Sequence, residues 1–240
     1  MAEIICYGSL NIDYVYSVDH FVRPGETLIS KSRAVFAGGK GGNQSIALAK
    51  AGAKVRHAGK IGKDGLFLKE TLEKAGVDCS LITIDPAEPT GHAIIQIDPH
   101  GENTIIVAGG ANQAITAAEI DRVIAAAQPG DYILLQNEIS NTDLVMQKAK
   151  AAGLKLAMNF APFDAEDAKR LPLKSLDILI VNEHEGYGLT GVKDFMEIMK
   201  ALRQNYPDTV TVMTIGPKGV LANLDGKVVH FPSPDVKVVD

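Results

Sequence analysis

Residues 37–45 place four glycines around Lys40, in the order Ala-Gly-Gly-Lys-Gly-Gly-Asn-Gln-Ser. Glycine has no Cβ, so its backbone can adopt positive φ and can approach a ligand closely. The small residues 46–53 follow at once and predict a helix, whose N-terminus would offer unpaired N–H groups. This combination suits a polyol or a phosphate, although a tight strand-to-helix turn would use the same residues. A Walker A loop does not fit, because no Ser or Thr follows Lys40.

Polar side chains also follow the predicted strands. In open α/β sheets, ligands bind beyond the carboxyl ends of the strands. Asn11 and Asp13 follow the first apolar run, and an aspartate can accept two hydroxyl hydrogen bonds, while Asn11 and Asn43 can both donate and accept. We therefore predict a cleft that recognises sugar hydroxyls. The other polar residues at strand ends are Gln136, Asn137, Glu138, Asn159, Asn182 and Thr214.

The elements that position these residues alternate between strand and helix. Apolar runs predict strands at residues 4–7, 55–58, 131–136, 155–159, 177–182 and 210–214. Helical patterns lie between them, including one over residues 65–75 that we expect Asp64 to cap, and one that begins at the capping box Thr116–Glu119. Continuous apolar strands between amphipathic helices indicate an α/β fold with a doubly wound, mostly parallel sheet and helices on both faces.

Two extended regions interrupt that pattern. Residues 14–18 and 27–36 flank the turn Pro24-Gly25, and residues 92–97 and 103–107 flank Asp98-Pro-His-Gly101. Extended segments inserted into an α/β chain predict a small β-sheet beside a single domain that spans residues 1–240. Such a sheet, over about 14–36 and 92–107, is expected to act as a lid or as an interface to a second subunit.

Composition excludes several function classes. The 240 residues carry a net charge of −5, which gives no reason to expect nucleic acid or an anionic membrane as a partner. The two cysteines, Cys6 and Cys79, are too few for a disulfide scaffold and fit a cytoplasmic location. The six histidines show no metal-ligand spacing, and no Gly-x-Ser-x-Gly elbow occurs.

Five motifs in order then identify a family resemblance. They are Gly8-Ser-Leu-Asn-Ile-Asp13, Pro24-Gly-Glu-Thr27, Gly38-Gly-Lys-Gly-Gly-Asn-Gln44, Asn182-Glu-His-Glu185 and Thr214-Ile-Gly-Pro-Lys-Gly219. Together they resemble the ribokinase-like (PfkB) carbohydrate kinases, over essentially the whole chain. The resemblance implies transfer of the γ-phosphoryl group of ATP to the hydroxymethyl group of a small sugar, with ribose and ribose 5-phosphate as the expected substrate and product.

The resemblance also implies roles for individual residues. The sugar would be held by Asn11, Asp13, Gly39, Lys40, Asn43 and Glu138. The nucleotide would contact Asn182, Thr214, Gly216 and Gly219. Glu185 would bind Mg²⁺ through a water molecule, and Asp240 would bind a monovalent cation, K⁺. The small sheet would close over the sugar and form a homodimer contact.

The family's catalytic aspartate belongs to a Gly-Ala-Gly-Asp type motif that would follow Asp240. We therefore expect the C-terminal catalytic segment to lie beyond the 240 residues, which leaves no catalytic residue to assign here, and the 240-residue chain by itself to be inactive as a kinase. Two alternatives stay open at this point. The chain could be a non-catalytic sugar-binding remnant of the fold, or a kinase of the same family that acts on a nucleoside or on another sugar.

Overall fold

The structure is a computed structural model, and it describes residues 2–234. The chain divides into two compact units. Of the described residues, the first unit comprises 2–127 together with 138–141, and the second comprises 128–137 and 142–234. Among the described residues, none of the helices has the length and apolar character that crossing a membrane requires.

The first unit contains seven strands and three helices. In chain order these are β1 (Ile4–Tyr7), β2 (Asn11–Ser17), β3 (Ser32–Gly38), α1 (Lys40–Lys50), β4 (Val55–Gly62), α2 (Leu66–Lys74), β5 (Asp78–Asp85), β6 (Gly91–Ile97), β7 (Asn103–Ala108) and α3 (Ala117–Ala125). Strands β1, β4 and β5 pair in parallel. The remaining four form a small sheet in the order β3-β2-β6-β7.

The core of the first unit forms where α2 covers the parallel strands. Leu68 and Leu72 on α2 are buried together with Ile61 on β4 and with Leu10 and Ile12 at the start of β2. Leu68 and Leu72 lie four residues apart and so share one face of the helix. Burial of these side chains fixes α2 against the strands that lead to the predicted site.

Strand β4 is longer than the predicted strand over 55–58 because it continues through Lys60. That side chain is buried, and its Nζ lies 2.9 Å from Asp85 Oδ2 and 3.2 Å from Glu119 Oε1, with the carbonyl of Ala114 at 2.7 Å. Two carboxylates and a carbonyl compensate the buried ammonium group. A charged residue after an apolar run predicts the end of a strand. The prediction is wrong here because Lys60 is neutralised by residues of other elements, which the local sequence does not show.

The predicted cap of α2 is wrong. A short 3-10 turn over Lys63–Gly65 precedes the helix, and the N-cap residue of α2 is Gly65, which has no side chain to cap the first turn. Asp64 instead accepts hydrogen bonds from the N–H and the hydroxyl of Thr90, at 3.0 and 2.6 Å. Its carboxylate thus ties the turn to the chain just before β6. By contrast, the predicted capping box of Thr116 and Glu119 is confirmed at the start of α3.

The small sheet combines both predicted extended regions. Strand β2 pairs antiparallel with β3 and parallel with β6, and β6 pairs antiparallel with β7 around the predicted turn at 98–101. Residues 18–31 form a loop, so the extension expected at 27–31 is not a strand. Because paired residues share a face of a sheet, Asp13, Phe36, Ala93 and Val107 lie on one face. Tyr14, Val35, Ile94 and Ile106 lie on the other face.

Up to residue 234, the second unit contains six strands and four helices. They are β8 (Tyr132–Gln136), α4 (Thr142–Ala151), β9 (Lys155–Asn159), α5 (Ala165–Arg170), β10 (Ile178–Asn182), α6 (Glu183–Thr190), α7 (Phe195–Asn205), β11 (Val210–Thr214), β12 (Val220–Leu224) and β13 (Lys227–Phe231). Strands β8 to β11 are parallel neighbours, and β12 and β13 extend the sheet antiparallel. The strands predicted at 155–159 and 210–214 are confirmed to the residue.

Helix α6 has two glycines that allow close packing. A Cβ at Gly188 would lie 2.6 Å from the ring of Phe163, and one at Gly186 would lie 2.9 Å from Ile198. Each glycine costs about 1 kcal/mol relative to alanine in a helix interior. Here the missing side chains let neighbouring elements approach the helix, which runs for eight residues and ends at Gly191 in a left-handed conformation.

Candidate functional site

The carboxylate of Glu138 is held by three donors from two other segments of the first unit. Its Oε2 accepts a 2.5 Å hydrogen bond from the hydroxyl of Ser9 and a 3.3 Å bond from the N–H of Lys40. Its Oε1 lies 3.0 Å from the Lys40 ammonium. The structure therefore brings Glu138, Lys40 and the segment after β1 together, and their role in holding a sugar stays a prediction. Ser9 was not predicted, although it lies within the first motif.

Asp13 is a second carboxylate in the same region. It lies on β2, and its carboxylate occupies the space above Gly38, where a Cβ would come within 2.0 Å of Oδ2. Burial raises the pKa of Asp13, the negative charge of Glu138 raises it further, and the charge of Lys40 lowers it. Two half-buried carboxylates and one ammonium group form an acceptor-rich cluster, which is the arrangement that hydroxyl donors of a sugar require.

Helix α1 begins inside the glycine-rich segment, directly after Gly39. Gly39 has φ +92° and precedes the first helical residue, Lys40, and a Cβ at Gly39 would lie 2.6 Å from the carbonyl of Ser9. A Cβ at Gly41 would lie 2.6 Å from the backbone of Gly8. Glycine is thus required because α1 packs directly on the backbone that follows β1.

The first N–H groups of α1 are bonded within the protein. The N–H of Lys40 donates to Glu138, that of Gly41 to the Ser9 hydroxyl at 3.4 Å, and that of Gly42 to the Ser9 carbonyl at 3.0 Å. A phosphate cradle would need these donors for the ligand. The geometry therefore favours the polyol interpretation of this loop over the phosphate interpretation. Asn43 lies exposed on the same turn.

Asn11 is buried at the start of β2, with 5 % of its surface exposed. Its Oδ1 accepts a 2.8 Å hydrogen bond from Nδ2 of Asn112, a residue that sequence reasoning did not single out. No periodicity or motif marks Asn112, since its contacts span about a hundred residues of sequence. Asn11, Asp13, Gly39, Lys40 and Glu138 thus all lie in the first unit, on segments that contact one another.

The ionisation of Asp13 predicts a pH dependence of sugar binding. Protonation removes the negative charge and turns one carboxylate oxygen into an O–H donor, which weakens the hydrogen bonds accepted from sugar hydroxyls. A raised pKa means that this protonation begins at a higher pH than for an ordinary aspartate. Sugar affinity, measured by calorimetry from about pH 7 down to about pH 4, is therefore expected to fall as the pH falls. Lys40→Met should move the midpoint of this fall to higher pH, and Glu138→Gln should move it to lower pH. An unchanged midpoint in both variants would contradict the assignment to Asp13.

In the second unit, Asn182 and Glu185 form a reciprocal capping box at the start of α6. The Oδ1 of Asn182 accepts from the N–H of Glu185 at 2.8 Å, and Oε2 of Glu185 accepts from the N–H of Asn182 at 2.7 Å. Glu185 is buried, and its Oε1 accepts from Nδ2 of Asn182 at 3.0 Å. The predicted contact of Glu185 to Mg²⁺ through a water molecule stays a prediction, since water and carboxylate oxygens are the ligands that Mg²⁺ prefers.

The segment after β11 contains the other predicted nucleotide residues. Thr214 ends the strand and is exposed, and Gly216 begins a 3-10 turn with φ +56°. Among residues 2–234, no heavy atom apart from Gly216 and its chain neighbours lies within 4 Å of a Cβ placed on Gly216, which leaves space beside this backbone. At Gly219 the Cβ would lie 2.1 Å from the carbonyl of Phe231, so the structure itself requires this glycine.

Several polar residues at strand ends have structural partners in the second unit. Asn137 donates to Asp167 at 2.9 Å and to the carbonyl of Pro162 at 3.1 Å, and Asn159 donates to the carbonyl of Ile180 at 3.3 Å. Over residues 2–234, no three His, Cys, Asp or Glu side chains are grouped as a direct metal site. The predicted cation ligand Asp240 lies outside the described residues.

Comparison with known proteins decides the family. A profile of the pfkB family carbohydrate kinases matches residues 1–240. The chain belongs to this family. Ribokinase from Haemophilus influenzae is 37 % identical over 228 residues, which cover 92 % of this chain and 74 % of that protein. Members of the pfkB family are phosphotransferases with an alcohol acceptor, so the chain is a sugar kinase of ribokinase type.

Solved structures of pfkB relatives share the fold. The crystal structure of ribokinase from Cryptococcus neoformans in complex with ADP superposes with a TM-score of 0.84 at 33 % identity, covering 99 % of this chain and 80 % of that one. Ribokinase from Arabidopsis thaliana, complexed with ribose and ATP, gives 0.83 at 28 % identity, covering 100 % and 81 %. The predicted α/β fold class, with its mostly parallel sheet and small additional sheet, is confirmed.

Proposed function

We propose that ribose is the sugar that this kinase phosphorylates at its hydroxymethyl group, with ATP as the phosphoryl donor and ribose 5-phosphate as the product. The observation that carries the proposal is the cluster of Asp13, Lys40 and Glu138, whose acceptors and ammonium group match the hydroxyls of a small sugar. The names of the relatives support ribose as that sugar. Asn11, Gly39 and Asn43 complete the proposed sugar site.

The second unit is proposed to hold the nucleotide. Asn182, Thr214, Gly216 and Gly219 would contact ATP, and Glu185 would reach Mg²⁺ through water. The relatives complexed with ADP and ATP support nucleotide binding. When bound, Mg²⁺ supplies charge stabilisation for the transferring phosphoryl group. K⁺ at Asp240 and a cytoplasmic location remain part of the proposal.

A binding and turnover panel tests this function. Calorimetry with ribose, 2-deoxyribose, fructose and a nucleoside measures which compound binds, and an ADP-release assay with MgATP measures turnover. We expect ribose to bind most tightly. Tighter binding of the nucleoside or of fructose would overturn ribose as the substrate, and ADP release with ribose would contradict the expected inactivity of the 240-residue chain. The expected inactivity of the 240-residue chain stays a prediction, which the same assay tests.

The small sheet is proposed to act as a lid over the sugar and as a homodimer contact. Asp13 lies on the same face as the exposed Phe36 and Val107, so this face is the one that would cover the sugar. The opposite face exposes Val35 and Ile94, together with Ile106 at 66 %. Exposed apolar side chains on both faces of the sheet favour one contact on each face, with the sugar site on one face and a second subunit on the other.

Replacing Ile106 by glutamate tests the dimer. A charge in the centre of an apolar contact is left unpaired and desolvated, so Ile106→Glu is expected to shift the protein from dimer to monomer in sedimentation at equal concentration. The matched control is Leu66→Glu, since Leu66 is 46 % exposed and lies on α2, outside the sheet. Monomers in the unmodified protein, or equal shifts in both variants, would contradict a dimer through this sheet.

A further inference from the structure

Asn112 is buried in a 3-10 turn over Gly110–Gln113 and uses its whole amide group in hydrogen bonds. Its Oδ1 accepts from the N–H of Leu10 at 3.1 Å, and its Nδ2 donates to the carbonyl of Leu10 at 3.1 Å. The second Nδ2 proton is donated to Oδ1 of Asn11 at 2.8 Å. A side chain with 1 % exposure and three bonds to two consecutive residues holds that backbone at a fixed position.

These bonds determine which way the Asn11 amide faces. The backbone N–H of Leu10 requires an acceptor and its carbonyl requires a donor, so the amide of Asn112 has one allowed orientation. Because Nδ2 of Asn112 can only donate, the atom of Asn11 that faces it must be the oxygen. The NH₂ group of Asn11 is therefore turned away from Asn112, and Asn11 can offer a donor to a ligand.

The same turn is bonded to the segment that carries Glu138. The carbonyl of Asn112 accepts from the N–H of Ser140 at 3.0 Å, and Nε2 of Gln113 donates to the carbonyl of Glu138 at 2.8 Å. The turn thus contacts Asn11 on one side and residues 138–141 on the other. Two of the proposed sugar ligands depend on one short segment for their position.

Space around this contact is limited by Gly91. A Cβ at Gly91 would lie 2.2 Å from Nδ2 of Asn112 and 2.5 Å from Oδ1 of Asn11. Any larger residue would separate the two amides. The contact between Asn112 and Asn11 therefore rests on close packing as well as on hydrogen bonds.

We propose that Asn112 is a positioning residue for sugar recognition, which holds the Asn11 amide so that its NH₂ group donates to one sugar hydroxyl. This inference rests on the proposed role of Asn11 as a sugar ligand. Asp13 and Glu138 then accept hydrogen bonds from other hydroxyls while Asn11 donates one. The turn over Gly110–Gln113 would thus determine the donor and acceptor pattern of the site.

The test measures the affinity of the 240-residue chain for ribose, 2-deoxyribose and 3-deoxyribose by calorimetry. Asn11→Ala first identifies the hydroxyl that Asn11 contacts, as the one whose removal no longer weakens binding. In Asn112→Ser we expect ribose affinity to fall about 10-fold. In Asn112→Ser, the sugar that lacks the hydroxyl contacted by Asn11 should lose less affinity relative to ribose than it does in the unmodified protein. The sugar that lacks the other hydroxyl should lose as much affinity relative to ribose as before. A purely structural role would weaken all three sugars by one common factor and would overturn the proposal.

Two further variants distinguish a failure of the positioning role of Asn112 from a failure of the proposed sugar function. Gln113→Met alters the same turn without touching Asn11, and it should leave the discrimination of that hydroxyl unchanged. Asn112→Asp is nearly isosteric and serves if Asn112→Ser does not fold, with the same expected loss of discrimination. If unmodified protein binds ribose but Asn11→Ala has no effect, the positioning role is wrong while the sugar function stands. If unmodified protein binds none of the three sugars, the proposed function itself fails.

Discussion

Asp13→Ala is expected to reduce ribose affinity by at least about 100-fold and to leave ATP affinity nearly unchanged. Each hydrogen bond to a charged group contributes about 1.5–3 kcal/mol, and Asp13 is proposed to accept two, while about 1.4 kcal/mol corresponds to a factor of ten in affinity. The proposed nucleotide residues lie in the other unit of the chain, which is why ATP affinity should not follow. Calorimetry with each ligand measures both effects.

The same variant tests whether the first unit binds the sugar and the second unit binds the nucleotide. Removal of a half-buried carboxylate with a raised pKa relieves a desolvation penalty, so the variant is expected to fold. A thermal unfolding curve with an unchanged midpoint or a higher one would support this. Equal losses of ribose and ATP affinity in a folded Asp13→Ala protein would mean that the assignment of sugar and nucleotide residues is wrong.

Gly38→Ala is expected to weaken ribose binding by about 100-fold without any change of a polar group. The new Cβ would lie 2.0 Å from Oδ2 of Asp13 and 2.3 Å from its Cγ, so the carboxylate must rotate away from its position. A displacement of about 1 Å in a positioned group can cost about a factor of 100. Calorimetry with ribose measures the loss.

The matched control is Gly42→Ala in the same motif. Its Cβ would lie 3.0 Å from Cδ2 of Leu10, the end of a flexible side chain, and alanine is a better helix former than glycine. We expect ribose affinity to stay within about twofold and thermal stability to be unchanged or higher. Similar losses of affinity in Gly38→Ala and Gly42→Ala would show that the loop backbone, rather than the position of Asp13, controls binding.

The comparison of sequence and structure shows where local patterns suffice. The strands at 155–159 and 210–214 and the capping box of Thr116 depend on neighbouring residues, and the sequence predicted them correctly. The prediction that Asp64 caps α2 was wrong because the carboxylate binds Thr90 instead, which lies 26 residues away in the sequence. The full length of β4 was missed because Lys60 is neutralised by Asp85 and Glu119 from other elements.

In the candidate site, too, some residues could be predicted from local sequence and others could not. The glycines around Lys40 and the acidic residues Asp13 and Glu138 could be selected from the sequence, because close backbone approach and hydroxyl recognition require these residue types. Ser9 and Asn112 could not, because their importance arises from hydrogen bonds to residues distant in sequence. A serine or an asparagine carries no local signal that distinguishes such a contact from a turn.

By itself, the sequence determined the α/β class, the family resemblance and the residue types of a sugar site. Glycines before a helix suit a sugar or a phosphate alike, and the sequence favoured the sugar through the missing Ser or Thr after Lys40 and the nearby Asn11 and Asp13. Only the tertiary structure shows that Ser9 and Glu138 use the first N–H groups of α1, which gives an independent physical reason for the same choice. Helix dipole and glycine content are local properties, whereas the occupancy of a donor depends on every segment that packs against it.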